Sequence, residues 1–135
     1  MFPIILLKNF HSDPMNNKEI GTAFEKEVCK LLASKGYWAH FIVPDITGSQ
    51  PFDVIAVKNG RALAIDCKTC VAKTFSNKRL EFNQIFSFEK WIKAGNEMPL
   101  VAVKHQEKIY WIPYSAIQFG EVIKLEGCGF DETQI

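Results

Sequence analysis

PFDVIAVKNGRALAIDCK, residues 51–68, is the stretch on which the fold turns. Val54, Ile55, Ala56 and Val57 form one apolar run, and Ala62, Leu63, Ala64 and Ile65 form another. Between them lies Asn59-Gly60, the dipeptide that best tolerates the positive φ angles of a type I′ turn, so the stretch reads as a β-hairpin. Three charges break the apolar background: Asp53 as the first strand begins, then Asp66 and Lys68 as the second ends. Strand side chains alternate faces, which puts Asp66 and Lys68 on one side and Cys67 on the other. Two carboxylates and an ammonium thus gather at one end of a hairpin whose remainder is suited to burial. A carboxylate pair is the hard-oxygen arrangement that Mg²⁺ prefers. A lysine beside it can hold an attacking water or offset charge on a phosphate.

Composition bounds what such a site can belong to. A chain of 135 residues with 47% apolar and 13% aromatic content supports one domain with its own core. No apolar run approaches the roughly 18 residues of a membrane span, so no membrane partner is expected. Residues 1–7 are too short for a signal peptide and lack a basic start and a small-residue cleavage site. Cys29, Cys67, Cys70 and Cys128 show no disulfide framework, which makes a reducing cytoplasm the expected compartment. The compact length also fits a phage- or mobile-element-encoded chain. With a net charge of +1, any nucleic-acid surface must come from uneven placement of charge. No Gly-rich phosphate loop or Ser-His-Asp arrangement is visible, and no small-molecule cofactor is expected.

Taken in order, residues 1–14 read as a peripheral arm closed by Asp13-Pro14, and residues 15–120 as the folded domain. From Asn17 to Ser34, Ile20, Phe24, Val28, Leu31 and Leu32 recur at helical spacing and form a core stripe, with Gly36 as a stop signal. Glu25 and Glu27 border that stripe on opposite sides, and periodicity leaves the choice between them open. Residues 69–80 form a polar connection carrying Lys73, Lys78 and Arg79, either phosphate contacts or an ordinary solvated loop. A second helix follows, its expected core stripe Phe82, Ile85, Phe86 and Ile92. Residues 99–113 read as another hairpin with Gln106-Glu107 near its turn. The helix before it permits a parallel crossover, so a mixed sheet flanked by helices is expected. Residues 121–135 make an acidic tail that frays or packs away from any DNA surface. Cys67-Lys68-Thr69-Cys70 lacks the second pair or the histidines of a structural zinc site, and Cys67 reads as a small buried residue. Trp38, Trp91 and Trp111 read as core.

Asp53, twelve intervening residues and then Asp66-Cys67-Lys68 resembles the PD-(D/E)xK signature of restriction-endonuclease-like nucleases, with Phe52 where that name has proline. Gly21-Thr22-Ala23-Phe24-Glu25-Lys26-Glu27-Val28 is similar to the opening helix of the archaeal-type Holliday junction resolvases. In that family a glycine is followed four residues later by a metal-site glutamate, which implies Glu25. Gly48-Ser49 stands where the family carries a serine in a mobile loop near the metal. Residues 37–43, 99–104 and 109–112 look like its first and closing strands. The likeness spans residues 18–115, with Asp66 in place of the more usual glutamate. Gln84 resembles a polar residue placed by the active site in related bacterial resolvases.

The resemblance implies an α/β, single-domain, restriction-endonuclease-like fold. It implies an endodeoxyribonuclease dependent on Mg²⁺, with Mn²⁺ as a substitute, that resolves four-way junctions by paired phosphodiester hydrolysis, leaving 5′-phosphate and 3′-hydroxyl ends. Asp53, Asp66 and the backbone carbonyl of Cys67 would hold the metal, and Glu25 would bind it or position its water. Lys68 would orient the nucleophile or stabilise the phosphate, and Ser49 would touch the scissile group. Lys73, Lys78, Arg79 and Gln84 would contact branched double-stranded DNA, and a two-fold homodimer would present two sites. The alternatives are another structure- or sequence-directed nuclease of this superfamily, or a catalytically silent DNA-binding module. Clustered carboxylates repel one another without a cation, which argues against silence.

Overall fold

A computed structural model describes residues 14–43, 50–119, 122–129 and 134–135. Helix α1 (Asn17–Ser34) starts where the Asn16 side chain accepts a hydrogen bond from the Glu19 amide at 2.8 Å, satisfying one of the otherwise unpaired first-turn donors. It ends where Gly36 takes φ +93°, a conformation cheap only for glycine. Strand β1 (Trp38–Phe41) then pairs antiparallel with β2 (Val54–Lys58), and β2 with β3 (Arg61–Thr69). At the β2–β3 turn Asn59 has φ 51° and Gly60 φ 76°, the double positive φ expected of the Asn-Gly hairpin.

The chain next makes a short strand β4 (Thr74–Ser76), a single 3₁₀ turn (Asn77–Arg79) and helix α2 (Phe82–Lys93). This crossover lets β5 (Leu100–His105) lie parallel to β3, and β6 (Lys108–Pro113) closes antiparallel beside it. The sheet order is β1-β2-β3-β5-β6, a mixed sheet as expected. Helix α3 (Tyr114–Phe119) and β7 (Val122–Lys124) follow; β7 pairs with β4, so this part of the C-terminal segment packs onto the domain.

Period-two alternation divides the core into two layers. Leu63 and Ile65 of β3, with Leu100 and Ala102 of β5, face Phe24, Val28 and Leu32 of α1. Ala64, Val101 and Val103 face the opposite layer, with Phe75, Phe88, Tyr114, Ile117 and Leu125. Burying one such large apolar side chain contributes about 1.5–3 kcal/mol, and the four-residue spacing of the α1 stripe supplies three in one line. Ile20 departs from the expected stripe: it is 39% exposed at the N-terminal end of α1, lining a groove with Met15 and Val71.

Two further expectations are corrected. In α2 the inward face carries Gln84 and Phe88, with Ile85, Trp91 and Ile92 partly covered. Phe82 and Phe86 lie on the outer face, 83% and 52% exposed, with ring centroids 6.4 Å apart. The reason is angular: at 100° per residue Gln84, Phe88 and Trp91 fall together, and Phe82 and Phe86 fall opposite. Trp111 is fully buried, but Trp38 is 60% exposed because β1 is an edge strand; its ring packs on His40 instead.

Candidate active site

The hairpin builds the centre of the site. Asp53 directly precedes β2 and is pinned by its backbone: its amide donates to the Ile65 carbonyl at 3.1 Å, and its carbonyl accepts from Ile42 at 2.8 Å. Its side chain is buried, Oδ2 accepting from the Cys67 amide and Oδ1 from Gln50 Nε2, each at 2.7 Å. Continuing the Ala64 face of β3, Asp66 and Lys68 point toward α2. Asp66 is fully buried, and its Oδ1 accepts from Gln84 Nε2 at 2.6 Å. Its Oδ2 has no hydrogen-bond partner and lies 3.4 Å from Lys68 Nζ, an ion-pair separation without hydrogen-bonding geometry. Lys68 Nζ donates to Gln84 Oε1 at 3.2 Å.

Glu25 reaches the same place from α1. It lines, with Asp53, Lys68 and Gln84, a polar cavity of about 220 Å³. Glu27, its rival by periodicity, faces away and pairs with Lys104 Nζ at 2.6 Å. Partial burial, with Asp53 nearby, pushes the Glu25 carboxyl up to about 7, and Lys68 only partly offsets this. Burial raises Asp66 well above the carboxylate range, and the adjacent Asp53 raises it further against the pull of Lys68. Burial and the surrounding carboxylates also push the Cys67 thiol up, so it stays protonated. The two sulfurs of the CxxC serve opposite faces of the sheet: Cys67 packs toward α1, and Cys70 belongs to the other layer.

Such an arrangement can accept a hard divalent cation. An orphaned, buried carboxylate oxygen, beside the Asp53 carboxyl and a Glu25 of raised proton affinity, is what a cation neutralises. Among the described residues no three His, Cys, Asp or Glu side chains converge into a ready-made shell. Asp53 explains part of this, since both its oxygens already accept hydrogen bonds.

Of the expected site residues, Glu25, Asp53, Asp66, Cys67 and Lys68 are brought together. Ser49 lies outside the described residues. Lys73, Lys78 and Arg79 sit outside the acidic cavity, all exposed. Arg79 donates to the Thr69 carbonyl at 2.9 Å and lines a larger cavity of about 620 Å³ that shares Cys67 and Lys68 with the acidic one. Gln84, expected as a DNA contact, sits beside the acidic pair: it is buried, and both ends of its amide bond to the protein. Gln50 and Asn83 also line the acidic cavity. Asn83 Nδ2 donates to the Gln50 carbonyl at 2.7 Å, fastening the segment before Asp53 to the first turn of α2. A contact across 33 positions leaves no periodic trace in sequence.

Fold and constellation together define a restriction-endonuclease-like α/β protein, a mixed sheet whose central hairpin carries the acid and acid-x-Lys elements. Residues 16–126 match the family model described as archaeal Holliday junction resolvase (Hjc), and the chain belongs to that family. It is 30% identical over 92 residues to the crossover junction endodeoxyribonuclease Hjc of Methanocaldococcus jannaschii, covering 68% of this chain and 64% of that protein. It is 29% identical over 96 residues to the crossover junction endodeoxyribonuclease Hje of Sulfolobus acidocaldarius, covering 70% and 68%. The structure of Hjc from Archaeoglobus fulgidus shares the fold, with a TM-score of 0.55 and 21% identity over 69% of this chain and 75% of that one. Among the described residues no helix is long and apolar enough to cross a membrane.

Proposed function

We propose that this chain is an endodeoxyribonuclease that resolves four-way DNA junctions by paired, metal-dependent phosphodiester hydrolysis. The observation that carries this reading is the meeting of Glu25, Asp53 and Lys68 around one polar cavity, with buried Asp66 3.4 Å behind Lys68, in a member of the resolvase family. Asp53, Asp66 and the Cys67 carbonyl are the groups that would hold Mg²⁺, or Mn²⁺ in its place. The ion, when bound, supplies Lewis acidity and a more acidic water. Glu25, its carboxyl pushed up to about 7 by burial and Asp53, would orient an attacking water in the cavity and accept its proton. Lys68, fixed at the junction of the acidic cavity and the larger one, offsets charge on the reacting phosphate.

The larger cavity, with Thr74, Ser76 and Arg79 on its wall, suits a phosphate backbone leading to Lys68. Exposed Lys73 and Lys78, on the same β3–α2 connection as Arg79, would add further phosphate contacts. Ser49 is retained as a contact to the scissile phosphate. Paired cuts need two sites, which a two-fold homodimer supplies. The outer face of α2, with its stacked Phe82 and Phe86, is the seat that suits the second copy.

Cleavage of a labelled four-way junction with Mg²⁺ and with EDTA, beside a linear duplex and a flap, tests this reading. Symmetric nicks near the branch that need Mg²⁺ are expected. Equal cutting of linear DNA would leave a nuclease of another specificity, and binding without any cutting would leave a silent module.

A further inference from the structure

Among the described residues the buried polar side chains are Asp53, Asp66 and Gln84, and Gln84 alone of these is not ionisable. Its amide is spent at both ends. Nε2 donates to Asp66 Oδ1 at 2.6 Å, while Oε1 accepts from Lys68 Nζ at 3.2 Å and from the Glu81 amide at 2.9 Å. The amide orientation follows from these partners, because the reverse would set its NH₂ against an ammonium and its oxygen against a carboxylate.

Each partner is a group with freedom to lose. A lysine ammonium on its four-carbon stem has many rotamers, and a carboxylate with one bonded edge can still turn about its χ2. Gln84 removes both freedoms at once. It is itself held by the Glu81 amide at the start of a 12-residue helix, so the clamp rests on a rigid element and not on a loop. With Oδ1 tied, Asp66 is left presenting Oδ2, the buried oxygen that no hydrogen bond satisfies.

We infer that Gln84 is a positioning residue, fixing the Asp66 carboxylate and the Lys68 ammonium relative to one another, and not a DNA contact. The inference rests on the nuclease reading. The test uses the full chain carrying Gln84→Met, which keeps the volume and removes both polar ends. It measures kcat and KM on a four-way junction, junction affinity in EDTA, and Mn²⁺ affinity by calorimetry without DNA.

Groups that orient metal ligands typically cost about 10–100-fold in affinity or activity when removed, so kcat and Mn²⁺ affinity should each fall by about that factor. Junction affinity in EDTA should stay within about twofold, since no phosphate contact is lost. A drop in junction affinity with kcat and Mn²⁺ affinity intact would overturn the proposal in favour of a DNA contact. Unchanged kcat and Mn²⁺ affinity with a lowered Tm would reduce Gln84 to a helix cap. If Gln84→Met does not fold, Gln84→Glu keeps the acceptor for Lys68 and Glu81 but loses the donor to Asp66. Its kcat should fall by a factor in the same range, and wild-type kcat there would overturn the proposal. Wild-type protein that cuts no junction would remove the nuclease reading, while Mn²⁺ affinity would still decide the role of Gln84.

Discussion

Asp66 is fully buried with one oxygen unsatisfied, while Asp53 beside it is buried too. Without a cation, ionising Asp66 there is costly, which is why its carboxyl is raised so far. Asp66→Asn should therefore fold with a Tm in EDTA at or above wild type, because it removes a buried group that is costly to ionise and keeps the shape. The loss of several kcal/mol of electrostatic stabilisation should cut junction cleavage by about 1000-fold. Calorimetry and a junction assay on the same sample check both halves; a large Tm loss would mean that the carboxylate is structural. Glu25 gives a second prediction. Its carboxyl ionises at about 7 in the fold against 4.5 ordinarily, so between those values the folded state binds a proton that the unfolded chain has released. Stability then falls as pH rises through that window, and the raised Asp66 acts in the same direction. Metal-free Tm should decline from pH 4.5 toward 7, and Glu25→Gln should flatten part of the decline. A Tm that climbs over this range in EDTA would contradict the burial of these carboxyls. Adding Mg²⁺ at neutral pH should raise Tm in wild type and much less in Asp66→Asn.

At the scale of elements, what the sequence disclosed depended on how local the determining physics was. The β2–β3 hairpin needs only its alternation and Asn59-Gly60, so it was readable together with the three site residues it carries. Helix α1 was readable in extent, but choosing Glu25 over Glu27 required knowing which flank meets the hairpin's end. That is a packing fact, decided by Lys104 taking Glu27. In α2 apolarity does not mark the inward face: buried Asp66 and partly buried Lys68 need an amide above them, and Gln84 turns inward at the expense of Phe82 and Phe86. Gln50 and Asn83 belong to contacts between distant segments and were invisible for that reason. The packing of the C-terminal segment is another such contact, and it can be probed. Gly129 has φ +77°, and a Cβ there would lie 2.4 Å from the Trp111 carbonyl oxygen. Gly129→Ala should cost about 1–3 kcal/mol through backbone strain alone, and more once the clash is counted. A drop in Tm of about 5 °C or more is the expected readout in a domain of this size. Cleavage per folded molecule should hold, since Gly129 does not line the acidic cavity. An unchanged Tm would mean that this segment is not held against β6.

For the molecule as a whole, the formal charge of +1 leaves DNA binding to local placement. The acidic cavity repels a phosphate unless a cation fills it, while Arg79, Lys73 and Lys78 lie along the connection between β3 and α2. On the far side of that helix, Phe82 and Phe86 stack in solvent with Lys90 4.7 Å from the Phe86 ring centroid. Two large rings held together outside the core, on the helix that also carries Gln84, are costly to leave wet, and covering them with a second copy relieves that cost. The cavity would then stand one helix away from the dimer contact, and each copy would address one strand of the junction. If the proposed dimer forms on this face, Phe82→Ser with Phe86→Ser should sediment as a monomer at micromolar concentration where wild type sediments as a dimer. Monomer stability should change little, because neither ring is buried in the domain. The monomer should still nick a junction, since Glu25, Asp53, Asp66 and Lys68 all come from one chain. Its two cuts should however lose their coupling, so that singly nicked junctions accumulate in a supercoiled substrate that a wild type acting as proposed would linearise. A double variant that stays dimeric and keeps paired cutting would move the interface to another face, with the exposed edge strand β1 and its Trp38 the next to examine.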